Sequence, residues 1–245
     1  MVDTHGVYSA VVLDTLRKIG AHPRLEPHVA NALRARSVAP AFRFFAGETL
    51  HRGSGTYAVR NSTARVHIEH GTTDAATFDQ AFMQDAYETT PDVEARLLRV
   101  TAPLRALDLG ANIGMWSAWL LARRPDAIVT AVEPLPRNLA LLRLNLALAD
   151  TLGRYTVVDA AAGTAPGTVV FGGGDFTNGR ILESGGGIEV RMVDTFTLLD
   201  GLDLLKIDIE GGEWPILADP RFDSVDIPIV MLDVHPRGRV ANGVG

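Results

Sequence analysis

Three groups of residues in this chain have types and spacings that chemistry could use. The first is Leu107-Asp-Leu-Gly-Ala-Asn-Ile-Gly114. An apolar run ends in an acid, Asp108, then breaks into a turn through Gly110, Ala111, Asn112 and Gly114 before a helical pattern begins. Glycine in such a turn lets the backbone approach a ligand closely. Twenty-five residues after Asp108, the apolar run 128–132 ends in Glu133-Pro134. A carboxylate there can accept both hydroxyls of a ribose, and the proline forces the chain to turn. The second group is Lys206-Ile-Asp208-Ile-Glu210-Gly-Gly-Glu213. Strand alternation puts Lys206, Asp208 and Glu210 on one side. Asp208 and Glu210 then emerge together at the rim where open α/β sheets bind ligands, while Glu213 reads as a first-turn acid of the next helix. In the third, Leu232-Asp-Val-His235, Asp233 and His235 share a face at the same edge. A histidine beside carboxylates titrates near neutrality and can take a proton from a hydroxyl.

The ligand of the first turn follows from what it lacks. A dinucleotide fingerprint needs glycine at 112 and 115, where this chain has Asn112 and Met115. That weighs against a nicotinamide cofactor. An acid two residues before the first glycine suits an ammonium group, such as the methionine part of S-adenosylmethionine presents. Asp159 ends a third apolar run, followed by Ala160 and Ala161. It reads either as an acceptor for an adenine amino group, with the alanines leaving room for the ring, or as a solvated acid. Trp116 and Trp119 at helical spacing read as core, and the other six histidines as structural.

These residues need elements to position them. Residues 8–19 and 25–36 carry helical apolar stripes. Phe42–Phe45, 57–59 and 65–68 read as short strands between glycine-rich turns. Helical spacing returns over 74–87 and 92–100. From 105 the pattern alternates: strand 105–109, helix 116–122, strand 128–132, helix 136–149, strand 155–161, strand 202–209, helix 214–218 and strand 227–234. Strands alternating with helices predict a doubly wound, mainly parallel sheet covered on both faces. Two further short strands, 167–171 and 188–193, flank a segment, 172–187, with seven glycines. That segment falls near the expected site edge, where Asn178-Gly179 reads as a turn.

Together, Asp108 to Gly114, Glu133-Pro134 and Leu205-Lys-Ile-Asp-Ile-Glu-Gly211 with Glu213 resemble the signature of FkbM-type methyltransferases, as does the strand ending in His235. The resemblance covers about 75–235. It implies an α/β, Rossmann-like class I methyltransferase fold using S-adenosylmethionine to methylate a hydroxyl of a sugar, polyketide or other natural product. By position, Asp108, Gly110, Ala111, Asn112, Gly114, Glu133, Pro134, Asp159, Ala160 and Asp208 are the expected cofactor contacts. His235, Asp208 and Glu210 border the acceptor, with His235 first choice as base. The expected division is an accessory region over 1–74 and the cofactor-binding domain over 75–245. Family members continue past the last strand with a helix and a strand pair. Here only Pro236–Gly245 remain, so a shortened C-terminal end is expected, its edge covered by the N-terminal region, a partner or further residues.

Composition narrows the partners. At 245 residues, 47% hydrophobic and 21% charged, the chain can bury a large core. A net charge of −6 argues against nonspecific nucleic-acid binding. There is no cysteine, which removes disulfides and thiolate chemistry. No apolar run reaches the roughly 20 residues that span a bilayer, and no basic-then-apolar leader opens the chain, so a soluble cytoplasmic protein is the expectation. The partner is a small hydroxylated acceptor, with a homodimer left open. Mg²⁺ held by Asp208 and Asp233 is a rival within the class, allowed but not favoured. A nicotinamide-dependent oxidoreductase and a non-catalytic cofactor-binding scaffold are the competing readings.

Overall fold

Alternate residues of the central strands face opposite layers, and this period of two organises the fold. The computed structural model describes residues 26–83, 91–100, 103–172, 180–181 and 187–233. Its first part contains α1 (Glu26–Arg36), β1 (Val38–Ala39), α2 (Ala41–Leu50), β2 (Ser54–Val59), β3 (Arg65–Glu69) and α3 (Asp74–Phe82). α4 (Pro91–Arg99) leads into β4 (Arg105–Leu109), α5 (Met115–Arg123), β5 (Ile128–Glu133), α6 (Pro136–Ala149) and β6 (Tyr155–Asp159). Then come β7 (Ala161–Gly163), β8 (Gly167–Gly172), β9 (Arg180–Ile181), β10 (Ile188–Asp194), β11 (Leu204–Ile207), α7 (Glu213–Leu217) and β12 (Ile229–Leu232).

The main sheet has the order β12-β11-β4-β5-β6, and every neighbouring pair is parallel. Ala106, Val129, Ala131 and Leu204 join Trp116, Leu120, Leu142 and Leu146 of α5 and α6 in one core. Leu107, Leu109, Val132, Leu205 and Ile207 join Leu199 and Ile216 in another on the opposite face. Burial on both faces explains why these strands are almost wholly apolar. It also makes the two charged residues inside them, Asp108 and Lys206, conspicuous.

Two smaller sheets differ in character. Between β6 and β11 the chain forms β7-β10-β8-β9, with β8 antiparallel to both β10 and β9. The first part forms β1-β2-β3, antiparallel throughout. It packs with α2 and α3 against Ile113, Met115 and Leu141, which ties it to the loop after β4 and to α6. Polar contacts reinforce the junction. Asn145 of α6 accepts from the His67 N–H at 2.6 Å and donates to the Ile113 carbonyl at 2.8 Å. Arg137 of α6 holds Glu69 at 2.7 Å and Asp74 at 2.8 Å. The start of α3 is thereby pinned to the start of α6.

The structure corrects several boundaries. Phe42–Phe45, expected as a strand, lies in α2. Phe44 and Glu48, one helical turn apart, are buried while Phe42 is 83% exposed, so tertiary contact overrides aromatic strand propensity. The expected strand 155–161 is two elements. Ala160, whose N–H reaches the Glu133 carbonyl at 3.3 Å, is the corner where the chain leaves the main sheet for the second. The strand 202–209 shortens to β11, because Glu210 and Gly211 adopt left-handed φ of 52° and 95°. The expected helix 8–19, the end of helix 74–87, most of 172–187 including Asn178, and residues 234–245 lie outside the described residues.

A buried polar chain sits in the first part. The Tyr57 hydroxyl meets His70 Nε2 at 2.6 Å, and His70 Nδ1 meets Glu48 Oε1 at 2.6 Å. Burial holds the Tyr57 phenol above its usual range, so the hydroxyl is the natural donor to the imidazole. Tyr57→Phe is expected to leave that ring nitrogen buried without its partner and cost about 1–3 kcal/mol. Urea unfolding of the two proteins measures it, and a loss under ~0.5 kcal/mol would mean water replaces the hydroxyl.

Candidate active site

The C-terminal ends of β4, β5, β11 and β12 open on one cleft of about 270 Å³. Its lining comes from each sequence motif in turn: Gly110, Ala111 and Asn112 after β4, Glu133 and Pro134 after β5, Asp208 and Glu210 after β11, and Asp233 after β12. Thr73, Thr77 and Gln80, from the start and exposed side of α3, close one wall.

The first turn is shaped by close approach. Gly110 has φ 80°, and a Cβ placed on it would drive into the Asp208 carbonyl oxygen, so only glycine fits. Asn112 follows at φ 51°, a left-handed conformation asparagine tolerates. Its N–H donates to Glu133 Oε2 at 2.9 Å. The Leu135 N–H donates to Glu133 Oε1 at 2.9 Å, and Asn138 Nδ2 adds a longer contact at 3.4 Å. One carboxylate therefore pins the turn after β4 to the start of α6. Glu133 is only 4% exposed, and burial pushes its carboxyl up to about 7 despite these donors, with Asp108 adding repulsion.

Asp108 is fully buried and does not line the cleft. Its Oδ2 accepts from Ser117 Oγ at 2.7 Å and its Oδ1 from Lys206 Nζ at 3.2 Å. Asp108 and Lys206 are direct cross-strand partners on the face that carries α5, so the pair follows from register. Lys206 also reaches Asp208 Oδ2 at 3.3 Å, and its ammonium lies 6.0 Å from the centre of the Trp116 ring. Lys206 and Trp116 both line the cleft.

Some expected contacts are elsewhere. Asp159 ends β6 opposite Glu133 but does not line the cleft; its side chain is 60% exposed and faces Arg143 at 3.6 Å. Ala160 is buried but likewise outside the lining, where Ala161 and Ala162 take its place. Gly114 stands one turn behind, against Leu142. Glu213 is fully buried and accepts from the N–H groups of Ile209 and Gly211, fixing the left-handed turn that presents Glu210. His235 lies outside the described residues. Asp208 and Asp233 border the same cleft, but among the described residues no three Asp, Glu or His side chains are grouped to hold an ion.

The sequence reading placed Lys206 on the side of Asp208 and Glu210 without giving it a role, and passed over Ser117 and Asn138; Trp116 is core as expected and also lines the cleft. Lys206 did carry a signal. A lysine inside the apolar run Leu204–Ile207 must be buried with the strand and so needs an anion in register.

The cleft's chemistry fits a polar ligand with donor groups. Asn112 Oδ1 is buried there and accepts no hydrogen bond among the described residues, a position that an ammonium or hydroxyl donor satisfies. The comparison with known families decides what kind of protein carries it: a model of the methyltransferase FkbM domain matches residues 108–241, more than half of the chain. The chain belongs to the FkbM methyltransferase family. No curated protein matches it. Among solved structures, this FkbM protein is similar to precorrin-6y C5,15-methyltransferase from Geobacter metallireducens GS-15, with 19% identity and a TM-score of 0.37 over 62% of this chain and 69% of that one. It is also similar to putative transferase PH0793 from Pyrococcus horikoshii, with 24% identity and a TM-score of 0.26, and to P. horikoshii TYW2 in complex with MeSAdo, with 24% identity and a TM-score of 0.27. For each of these two the match covers 57% of this chain and 50% of theirs, so the FkbM chain spans about half their length. The FkbM domain thus supplies a methyltransferase on an α/β fold of mixed sheets.

Proposed function

We propose that the chain is an S-adenosylmethionine-dependent O-methyltransferase with a class I, Rossmann-like domain over 75–245 and an accessory region over 1–74. The observation that carries this reading is the convergence in one cleft of the Gly110–Asn112 turn, the buried Glu133 carboxylate and the Asp208–Glu210 rim. Glu133 accepts the ribose hydroxyls, Asn112 Oδ1 accepts from the methionine ammonium, and Ala161 and Ala162 leave room for the adenine. S-adenosylmethionine, when bound, supplies an electrophilic methyl group. The chain's own contribution is to hold an acceptor hydroxyl beside it and to take the hydroxyl proton. Asp208 and Glu210 border that position, with His235 as the base that receives the proton. The Lys206 ammonium, 3.3 Å from Asp208 Oδ2, orients that side chain at the cleft. The acceptor is a small hydroxylated molecule entering past α3.

Calorimetric titration with S-adenosylhomocysteine and, separately, NADH tests the reading. S-adenosylhomocysteine is expected to bind and NADH not. Glu210→Gln should retain S-adenosylhomocysteine affinity while turnover of a hydroxylated acceptor falls about 100-fold or more, with EDTA leaving wild-type turnover unchanged. Failure of a folded protein to bind S-adenosylhomocysteine would sink the proposal, and loss of turnover in EDTA would move the proton step to a metal.

A further inference from the structure

A second cleft, of about 660 Å³, lies apart from the first. It is lined by Arg36 at the end of α1, by Arg60, Asn61 and Ser62 in the β2–β3 turn, and by Trp119 and Arg123 of α5. The turn is held in place: Asn61 has a left-handed φ of 59°, and the Arg60 N–H donates to the Ser37 carbonyl at 2.8 Å. Ser62 Oγ accepts from the Ala64 N–H at 3.1 Å, and Thr63 Oγ1 donates to the Ala122 carbonyl at 3.5 Å. Three chain segments distant in sequence thus deliver guanidinium groups to one concavity. No acidic residue is among its described lining residues, in a chain whose net charge is −6. Arg36 and Arg60 are exposed, and neither forms an ion pair among the described residues.

A structural account of these arginines falls short. α1 and α5 both end here, and each helix C-terminus attracts a cation with roughly half a charge. Arg60 belongs to neither helix, so the dipoles do not account for it. Part of the wall is aromatic: Trp119 is half-buried with the Arg123 guanidinium 5.6 Å from its ring centre, and Phe82 also lines the cleft. Guanidinium forks match the oxygens of a phosphoryl group, and an aromatic wall suits the organic group attached to it. The volume lies within the ~300–1,000 Å³ range of small-molecule sites.

We infer that this cleft binds a small phosphomonoester, its phosphoryl group between Arg36, Arg60 and Arg123 and its organic part against Trp119. The site is independent of the methyltransferase reading, since α5 turns Trp116 to the first cleft and Trp119, one turn on, to this one. The test uses the full chain in a phosphate-free buffer, titrated with phenyl phosphate, inorganic phosphate, and sodium chloride at matched ionic strength. Calorimetry gives Kd and thermal unfolding gives Tm. Phenyl phosphate is expected to bind about fivefold or more tightly than inorganic phosphate, because stacking adds to the charge contacts. Arg36→Ala combined with Arg60→Ala, at two exposed positions, should weaken phenyl phosphate about tenfold or more. The corresponding double lysine variant should keep part of the affinity, and S-adenosylhomocysteine binding should not change in either. The inference is overturned if phenyl phosphate does not bind, if inorganic phosphate binds equally well, if the double alanine variant binds undiminished, or if sodium chloride reproduces the Tm shift.

Discussion

Lys206→Met is expected to cost about 3–5 kcal/mol of folding stability, more than a surface charge change should. The reason is position. Asp108 is fully buried, and among the described residues its side-chain donors are Lys206 and Ser117. Methionine keeps an unbranched side chain of similar length but removes the ammonium, leaving a carboxylate with one hydroxyl donor in a low-dielectric layer between the sheet and α5. Adding Asp108→Asn removes the stranded charge, so the double variant should recover most of the loss. The non-additivity, not the single cost, is the signature of a coupled pair. Guanidinium chloride unfolding of the four proteins of this cycle measures it. A cost under ~1 kcal/mol for Lys206→Met, or additive single effects, would show that water reaches the pair. The catalytic consequence is separate: Lys206 also holds Asp208 at 3.3 Å, so the single variant should lose turnover even under conditions where it stays folded.

This pair shows where reading the sequence succeeded and where it stopped. The alternation of apolar strands and amphipathic helices from 105 onward was legible because burial on both faces leaves long apolar runs at fixed intervals. The cleft was legible for the same reason, since each motif terminates a strand and parallel strands end on one edge. What could not be read was register. Only strand pairing decides that Lys206 stands opposite Asp108, which turns a supposed ligand for an ammonium group into a residue already holding one. Asp159, which the sequence left open between an adenine acceptor and a solvated acid, is the second, for a related reason. Strand-end position is visible in sequence, but the choice between the cleft and Arg143 depends on how α6 packs. In the first part, the aromatic run Phe42–Phe45 has strand propensity. It is helical because Phe44 and Glu48, four apart, reach the buried cluster of Tyr57 and His70, a contact no local pattern announces.

The Glu133 carboxyl should make both stability and ligand affinity depend on pH near neutrality, in opposite senses. Burial raises it to about 7 from an ordinary 4.5. A folded-state value above the unfolded one means the folded chain holds the proton more tightly. The stabilising contribution is therefore full below pH 4.5 and is lost as pH rises through 7, on the order of 3 kcal/mol across that window. Ligand binding runs the other way. Ribose hydroxyls donate, and only the ionised carboxylate can accept from them while still holding the N–H groups of Asn112 and Leu135. Binding must then expel the proton wherever the carboxyl is neutral. S-adenosylhomocysteine should bind roughly tenfold more weakly at pH 6 than at pH 8, with close to one proton released per ligand at pH 6. Calorimetry in buffers of different ionisation enthalpy reads that proton directly. Glu133→Gln should flatten both the stability slope and the affinity slope, and titration of the ligand itself is common to both proteins and cancels in the comparison. An affinity that stays level from pH 6 to 8 in the wild type, or falls equally in Glu133→Gln, would remove Glu133 from the ribose.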